Sequence, residues 1–324
     1  MNSELRPRTI IPWLPRRLKE ALAHLAIPLA RGALRLVPFV GAKEAIWDLL
    51  VGPHLWWRPY AFTARTRFGP QIAGNTVDYI QKYLYYFGIW EPNLTGWIVE
   101  RLKPGDAFVD VGANVGYFSL LAAKLVGPRG RVVAIEASPE VFKLLRRNLE
   151  LNRAYNVRAV NVAISDREGR AQLYPGPKGN LGKTTVAKDW AQKENLKLGT
   201  TVRTLPLPAV LEEDEIKAVR LIKIDVEGHE WEVISGMVSV LESCRPETEV
   251  FVEVNPAALL AQGKTCEDFI SMFTLRGFHA YRLINDYEPK SYLRCNRVRP
   301  TRLSETSFAS TEDLVFSRID AEAV

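Results

Sequence analysis

Apolar runs alternate with amphipathic stretches through the middle of the chain. Five runs predict strands buried on both faces, over 107–111, 131–136, 157–164, 219–225 and 248–254. Helical spacing of apolar residues predicts helices between and after them, over 115–126, 139–152, 229–241 and 265–275. Two later strand candidates, at 278–284 and 313–318, are predicted to close the sheet as an antiparallel hairpin. This order predicts an α/β fold with a mostly parallel, seven-stranded sheet and helices on both faces.

A different pattern precedes this alternation. Residues 16–37 fit an amphipathic helix that we expect to be interrupted near Pro28 and Gly32. A strand and two helices are predicted next, over 61–68, 76–90 and 93–102, with Asn93 as N-cap. The predicted organisation is a basic, mostly helical N-terminal extension over 1–60, a strand and helix preface over 61–106 that packs on the core, and the α/β domain over 107–324.

The positive charge of the chain belongs to its N-terminal part. Residues 1–70 contain 11 Lys and Arg and 4 acids, whereas the rest has 32 bases and 33 acids. A nearly neutral body argues against binding of nucleic acid over the whole surface. The basic amphipathic segment either packs on the main domain or rests on an anionic membrane.

Cysteine content and hydropathy indicate the compartment. Three scattered cysteines are too few for a disulfide framework or a structural zinc site, and no run of 18 apolar residues predicts a spanning helix. We therefore predict a cytoplasmic protein, peripheral at the inner membrane surface if the extension binds lipid.

The first strand of the α/β domain ends in an acid, and a glycine-bearing turn leads into a helix. Ligands of open parallel sheets bind beyond the carboxyl ends of strands. Gly112 and Gly116 would let a ligand approach the backbone, and the helix start presents free N–H groups. Glu136, 24 residues after Gly112, ends the second strand, where it could bind both hydroxyls of a ribose. Together these features predict a nucleoside site.

The chemistry of the turn favours one nucleoside. It reads G-x-N-x-G and lacks the middle glycine that admits a pyrophosphate. Asp110 repels phosphate but suits a cationic ligand. S-adenosylmethionine carries a ribose, an ammonium and a sulfonium, and no phosphate. A nicotinamide-dependent reductase, which would share the turn and the acid, remains an alternative, as does a non-catalytic membrane-surface binding module.

A second group of polar residues follows the strand at 219–225. Asp225, Glu227 and His229 would be costly at the mouth of a sheet unless they have partners, so they indicate a site. The N/D-P-P-aromatic element with which base-modifying enzymes hold a flipped base is absent here. The groups fit deprotonation of a hydroxyl instead, with His229, then Glu227, as base and Asp225 as positioning group. No metal is predicted, because the spacing of Asp225, Glu227 and Glu253 demands none.

The residues also resemble a known family. The segments FVDVGANVGYFSLLAA (108–123), VVAIEASPEVFKLLRRNLELN (132–152), AISDREG (163–169) and LIKIDVEGHEWEVISG (221–236) look like those of the FkbM family of S-adenosylmethionine-dependent methyltransferases. The resemblance implies a Rossmann-like class I methyltransferase fold. It also implies O-methylation of a small-molecule, glycan or lipid hydroxyl, such as one on a sugar, glycolipid or natural product.

Site residues follow from the resemblance position by position. It implies that the methionine end is held by Asp110, Gly112, Asn114 and Gly116, with Tyr117 also binding cofactor, that Glu136 holds the ribose, that Ala163 lines the adenine pocket, and that Asp225 and Glu227 flank methyl transfer. The acceptor and the oligomeric state are not predicted. We expect the acceptor pocket to come from the loops at 174–200 and 285–312.

Overall fold

The computed structural model describes residues 15–294 and 297–324. The helices are α1 (Arg16–Leu36), α2 (Val40–Ile46), α3 (Tyr79–Phe87), α4 (Pro92–Arg101), α5 (Tyr117–Val126), α6 (Pro139–Leu151), α7 (Lys188–Lys193), α8 (Glu213–Ala218), α9 (Glu230–Gly236), α10 (Val238–Ser243), α11 (Pro256–Ala261), α12 (Cys266–Thr274) and α13 (Pro289–Arg294). The strands are β1 (Ala61–Arg65), β2 (Gln71–Asn75), β3 (Ala107–Val111), β4 (Arg131–Ile135), β5 (Val157–Val160), β6 (Ala163–Ile164), β7 (Gly169–Gln172), β8 (Thr201–Leu205), β9 (Val219–Ile224), β10 (Glu249–Val254), β11 (His279–Leu283), β12 (Thr301–Arg302) and β13 (Glu312–Ser317). A π-helical segment, Trp47–Leu55, continues α2.

The described residues form two compact units. The first comprises 15–92, 178–180 and 286–294, and the second comprises 93–177, 181–285 and 297–324. The boundary near residue 92 falls within the preface predicted over 61–106.

The first unit is built on α1, which packs on α3 and on the π-helical segment. The helix is continuous through Pro28, so the predicted interruption near Pro28 and Gly32 is wrong. Ile27 and Ala30, on either side of Pro28, are buried together with Ala23 and Leu34. Burial of this face offsets the lost backbone hydrogen bond, since packing overrides local propensity. Tyr83, Tyr85, Tyr86 and Phe87 of α3 are buried in the core of this unit.

The second unit contains an eight-stranded sheet in the order β12-β11-β13-β10-β9-β3-β4-β5. Pairings from β10 to β5 are parallel and those of β11, β12 and β13 are antiparallel, which confirms the mostly parallel arrangement. The predicted count of seven strands misses one, because β12 has only two residues and no apolar run. Every residue of β3 is buried, so both faces of the centre of the sheet are covered.

Three predicted elements differ in detail. The strand predicted over 157–164 breaks after β5, and β6 joins a separate three-stranded sheet in the order β6-β8-β7. The break coincides with Asn161, whose side-chain amide donates to the carbonyls of Glu136 and Ala137. The helix predicted over 229–241 divides into α9 and α10 at Met237. Asn93 lies inside α4 rather than at its N-cap, and its side chain bonds the backbone of Ile284 and Val298.

Candidate active site

The site lies where the strand order of the large sheet reverses. The chain runs outward from β3 through β4 to β5, then returns to place β9 on the other side of β3. At such a switch point the connections diverge and leave a crevice beyond the carboxyl ends of the strands. The turns after β3 and β9 meet there, since the Asp225 N–H donates to the Val111 carbonyl over 3.1 Å. Both predicted motifs therefore reach one edge of the sheet.

The two predicted glycines of the first turn are required by its backbone. Gly112 has φ +81°, and a Cβ on it would lie 1.9 Å from the carbonyl oxygen of Asp225. Gly116 has φ +90°, and its Cβ would lie 2.6 Å from Leu145 Cδ1. Asn114, between them, also has a positive φ of 51°. A side chain at Gly112 would force apart the two turns that frame the crevice.

Glu136 is fixed against this turn. Its carboxylate accepts hydrogen bonds from the backbone N–H groups of Asn114 (2.9 Å) and Ser138 (2.8 Å). Burial raises the pKa of Glu136 to about 7. Each carboxylate oxygen has two lone pairs, so each can still accept a hydrogen bond from a hydroxyl group. The geometry suits the predicted contact with a ribose.

Asp110 is balanced by a lysine that the sequence analysis did not single out. Lys223 Nζ lies 3.7 Å from Asp110 Oδ1 and 3.1 Å from Asp225 Oδ2. Asp110 and Lys223 are paired residues of β3 and β9, so their side chains share one face of the sheet. Ser119 donates to the other oxygen of Asp110 over 2.6 Å. Lys223 could have been recognised in the sequence, because it is a charged residue inside a mostly apolar central strand.

Orphaned oxygens test whether this edge fits S-adenosylmethionine. Among the described residues, Asp110 Oδ1 and Asn114 Oδ1 are buried and have no hydrogen-bond partner. Buried acceptors of this kind are costly unless a ligand supplies a donor. An ammonium group has three donors and a charge opposite to that of Asp110. The residues present therefore fit the methionine end of this cofactor.

Three carboxylates lie together beside the second turn. Asp225, Glu227 and Glu253 each place one oxygen within 4.8 Å of the others. Burial, then the neighbouring charges of Asp225 and Glu230, raise the pKa of Glu227 to about 8. Burial, then the neighbouring charges of Asp225 and Glu227, also raise the pKa of Glu253. Glu227 has a positive φ of 56°, an unfavourable backbone conformation of the kind concentrated at functional sites.

This cluster could hold either a proton or a cation. Oxygen ligands at such distances suit a divalent ion such as Mg²⁺. The spacing of these residues in the sequence demands no metal, because Glu253 is in β10 whereas Asp225 and Glu227 are in the turn after β9. Raised pKa values of neighbouring carboxyls equally suit transfer of a proton.

His229 is occupied by other side chains. Its Nε2 lies 3.2 Å from Ser165 Oγ, and its Nδ1 lies 3.2 Å from Glu232 Oε2. Burial lowers the pKa of His229 to about 4, so the imidazole is neutral at pH 7. The neutral imidazole thus has one ring nitrogen beside the Ser165 hydroxyl and the other near the Glu232 carboxylate.

The depressed pKa of His229 predicts a pH-dependent stability. The unfolded imidazole titrates near 6.5, so the unfolded chain binds the proton first as the pH falls. Stability from neutral His229 is thus present above about pH 6.5 and is lost as the pH falls toward 4. Between pH 7 and 5 we expect wild type to lose about 2 kcal/mol more unfolding free energy than His229→Gln. Urea titrations of both proteins at the two pH values measure this difference, and parallel losses would contradict it.

Part of the long polar loop folds against the second turn. A Cβ on Gly228 would lie 3.0 Å from the ring of Trp190, a residue of α7. The Trp190 ring therefore covers the backbone of Gly228. Lys183 pairs with Glu194, and both charges act on Glu227. The Trp190 indole N–H is inaccessible to solvent and has no hydrogen-bond partner among the described residues. The sequence analysis expects the loop over 174–200 to contribute to the acceptor pocket, and the placement of Trp190 and Lys183 near Glu227 supports that expectation.

Two further predicted residues are buried near this edge. Ala163 lies in β6, next to the chain segment that carries Ser165. Tyr117 begins α5, and its hydroxyl is 3.2 Å from that of Thr95. The structure thus brings the predicted residues of both motifs to one region, with Tyr117 directed toward α4.

The comparison with known families decides the assignment. The description "Methyltransferase FkbM domain" matches residues 110–280, more than half of the chain. This chain belongs to the FkbM methyltransferase family. The matched range begins at Asp110 and includes the glycine turn, Glu136 and the carboxylates after β9.

Several named proteins are similar to this FkbM family member. Hexuronic acid methyltransferase AglP from Haloferax volcanii is 24% identical over 200 residues, which are 60% of this chain and 78% of that protein. Methyltransferase sdnD from Sordaria araneosa is 30% identical over 43% of this chain and 63% of its own length. The 31-O-demethyl-FK506 methyltransferase FkbM from Streptomyces tacrolimicus is 32% identical over 42% of this chain and 61% of its own length.

Two solved structures align with this chain, both with TM-scores below 0.5. Methyltransferase FkbM from Methylobacillus flagellatus aligns with 74% of this chain and 55% of its own, at 14% identity and a TM-score of 0.40. A putative rRNA methylase from Clostridium thermocellum aligns with 70% of this chain and 94% of its own, at 11% identity and a TM-score of 0.42.

The family confirms the predicted fold class, enzyme class and cofactor. The protein is an S-adenosylmethionine-dependent methyltransferase with a Rossmann-like α/β domain. The reductase and the non-catalytic binding module, kept open by the sequence, are therefore set aside. In the described part of the chain, no helix combines the length and hydropathy needed to cross a membrane.

Proposed function

We propose that this protein methylates a hydroxyl oxygen on a sugar, glycolipid or natural product. The observation that carries the proposal is the carboxylate cluster of Asp225, Glu227 and Glu253 beside the glycine turn. A hydroxyl is a weak nucleophile at neutral pH, so a carboxylate placed to accept its proton assists attack. Only the ionised form of Glu227 can do so, and its share rises as the pH approaches about 8. The printed names of two relatives, a hexuronic acid methyltransferase and a 31-O-demethyl-FK506 methyltransferase, support this acceptor class.

The roles of the residues follow from their positions. Asp110 and Asn114 would hold the methionine end, Glu136 the ribose, and Gly112 and Gly116 would keep the backbone open. When bound, S-adenosylmethionine supplies a methyl group on a positively charged sulfur. Glu227 would take the acceptor proton as the acceptor oxygen forms its bond to that carbon and the carbon–sulfur bond breaks. Orientation of the reacting atoms can supply about 7–11 kcal/mol of the acceleration.

Asp225 and His229 would act on geometry. Asp225 is held by Lys223 and borders both turns, so it would position cofactor or acceptor. His229 lies between Ser165 and Glu232 and would fix the start of α9. We therefore rank Glu227 above His229 as the candidate base. The proposal includes no metal.

Mass spectrometry of cell extracts tests the acceptor class. Extracts from cells with the protein should contain a lipid, glycan or secondary metabolite that is 14 daltons heavier (one CH₂) than its counterpart in cells without it. Cells that produce Glu227→Gln at equal abundance provide the control and should lack the heavier species. A 14-dalton gain found only on RNA or DNA would contradict the proposed acceptor class.

We also propose a cytoplasmic enzyme that contacts the inner surface of the membrane through its N-terminal part. The net charge of +7 over residues 1–70 supports this location. Such a location would suit a lipid-linked or glycolipid acceptor.

A further inference from the structure

Helix α1 has a second apolar face, opposite the one that packs into its unit. Leu18, Leu22, Leu25, Leu29 and Leu36 have exposed fractions from 44% to 83%. At 3.6 residues per turn, these five leucines fall within an arc of about 60°. The buried residues Ala23, Ile27, Ala30 and Leu34 project from the other side of the helix. The exposed set, here called the leucine stripe, is therefore surplus to packing within the unit.

The stripe continues at the end of the helix. Phe39 and Val40 lie three and four residues beyond Leu36 and are 74% and 40% exposed. Contiguous exposed apolar side chains of this kind are rare on the surface of a soluble monomer and mark a contact with a partner or a lipid surface.

The positive charge of the N-terminal part of the chain selects the partner, since residues 1–70 carry a net charge of +7. Arg31 and Arg35 of α1 donate to the backbone carbonyls of Tyr85 and Arg65, which carry no net charge. Burial and the nearby Arg31 and Arg67 lower the pKa of Arg35 to about 10. Within the described residues no carboxylate forms an ion pair with Arg31 or Arg35. This positive potential favours an anionic surface over a second copy of the same basic segment.

We propose that the leucine stripe rests on an anionic lipid bilayer, with the leucine side chains at the boundary of headgroups and acyl chains. The helix would lie in the plane of one leaflet, held to its unit by its other face. Anionic headgroups would balance the net positive charge of residues 1–70. This names the surface and the lipid class for the membrane location proposed above, and it does not depend on methyl transfer.

Vesicle flotation of the full chain tests the proposal. Wild type should float with vesicles of phosphatidylethanolamine and phosphatidylglycerol, and much less with phosphatidylcholine alone. The variant Leu25→Glu/Leu29→Glu should bind the anionic vesicles about tenfold or more weakly, because it places charge on the apolar face. Raising salt from about 0.1 M to about 1 M shortens the screening length from about 10 Å to about 3 Å, and should also weaken binding.

A matched variant separates position from composition. Leu260→Glu/Leu275→Glu alters two leucines that are 74% and 82% exposed in the second unit, with the same change of charge. It should float like wild type. Equal flotation of all three proteins, or none by wild type, would overturn the proposal.

Two further readouts keep the result specific. Retained binding of S-adenosylhomocysteine by every variant shows that the fold and cofactor site are intact, so lost flotation is not lost folding. Light scattering without vesicles should give the same mass for wild type and Leu25→Glu/Leu29→Glu. A wild-type dimer that this variant dissociates, with no flotation of wild type, would make the stripe a subunit interface and contradict the lipid assignment.

Discussion

Replacing Glu227 by glutamine should lower kcat about 10²–10⁴-fold and leave the affinity for S-adenosylhomocysteine little changed. Glutamine preserves the shape of the side chain but cannot take a proton from the acceptor. The loss should appear in kcat because the proton moves only during the chemical step. Initial rates of methyl transfer to the acceptor fraction of a cell extract, together with calorimetry for the product, measure both quantities.

A surface carboxylate supplies the control for this variant. Glu242 is in an exposed ion pair with Arg276, so Glu242→Gln removes a charge from the same unit and should keep wild-type turnover. Full turnover of Glu227→Gln would contradict the assignment of Glu227 as base.

Chelation distinguishes a proton-accepting cluster from a cation site. If Glu227 works as a base without metal, dialysis against EDTA leaves the wild-type rate unchanged. A rate that falls on chelation and returns with Mg²⁺ would assign Asp225, Glu227 and Glu253 to a cation and contradict the base mechanism.

Replacing Gly112 by alanine should lower the free energy of unfolding by about 3 kcal/mol or more and abolish cofactor binding. Two costs add at this position. A left-handed backbone costs a non-glycine residue about 1–2 kcal/mol. The new methyl group would also lie 1.9 Å from the carbonyl oxygen of Asp225, which is backbone and cannot rotate away. Urea unfolding and titration with S-adenosylhomocysteine measure the two effects.

Gly263→Ala isolates the conformational part of this cost. Gly263, just after α11, has φ +69° and nothing within 4 Å of the added Cβ. It should therefore lose only about 1–2 kcal/mol and bind cofactor normally. Equal stability losses in the two variants would show that the turns after β3 and β9 are not in the close contact described.

The ends of the central strands were predictable because each is an apolar run closed by a polar or glycine residue. That pattern placed Asp110, Glu136 and Asp225 at one edge, where the structure has them. The pattern also anticipated the antiparallel pairing of β11 with β13. It did not reveal that the chain places β13 between β10 and β11, since pairing between distant strands leaves no local signal.

Features that depend on contacts across the fold were not predictable. The pairing of Lys223 with Asp110 depends on the register of two strands that are far apart in sequence. Ser165 meets His229 only because β6 leaves the main sheet. Likewise, α1 continues through Pro28 because its inner face is buried. The sequence shows the proline but does not show the burial that compensates for it.

Calorimetry with purified protein tests whether the acidic residues at the switch point bind a sulfonium nucleoside. S-adenosylmethionine and S-adenosylhomocysteine should each titrate as one site per chain, and NADH should give no binding heat. Absence of heat with both sulfur compounds, together with clean saturation by NADH, would contradict the account.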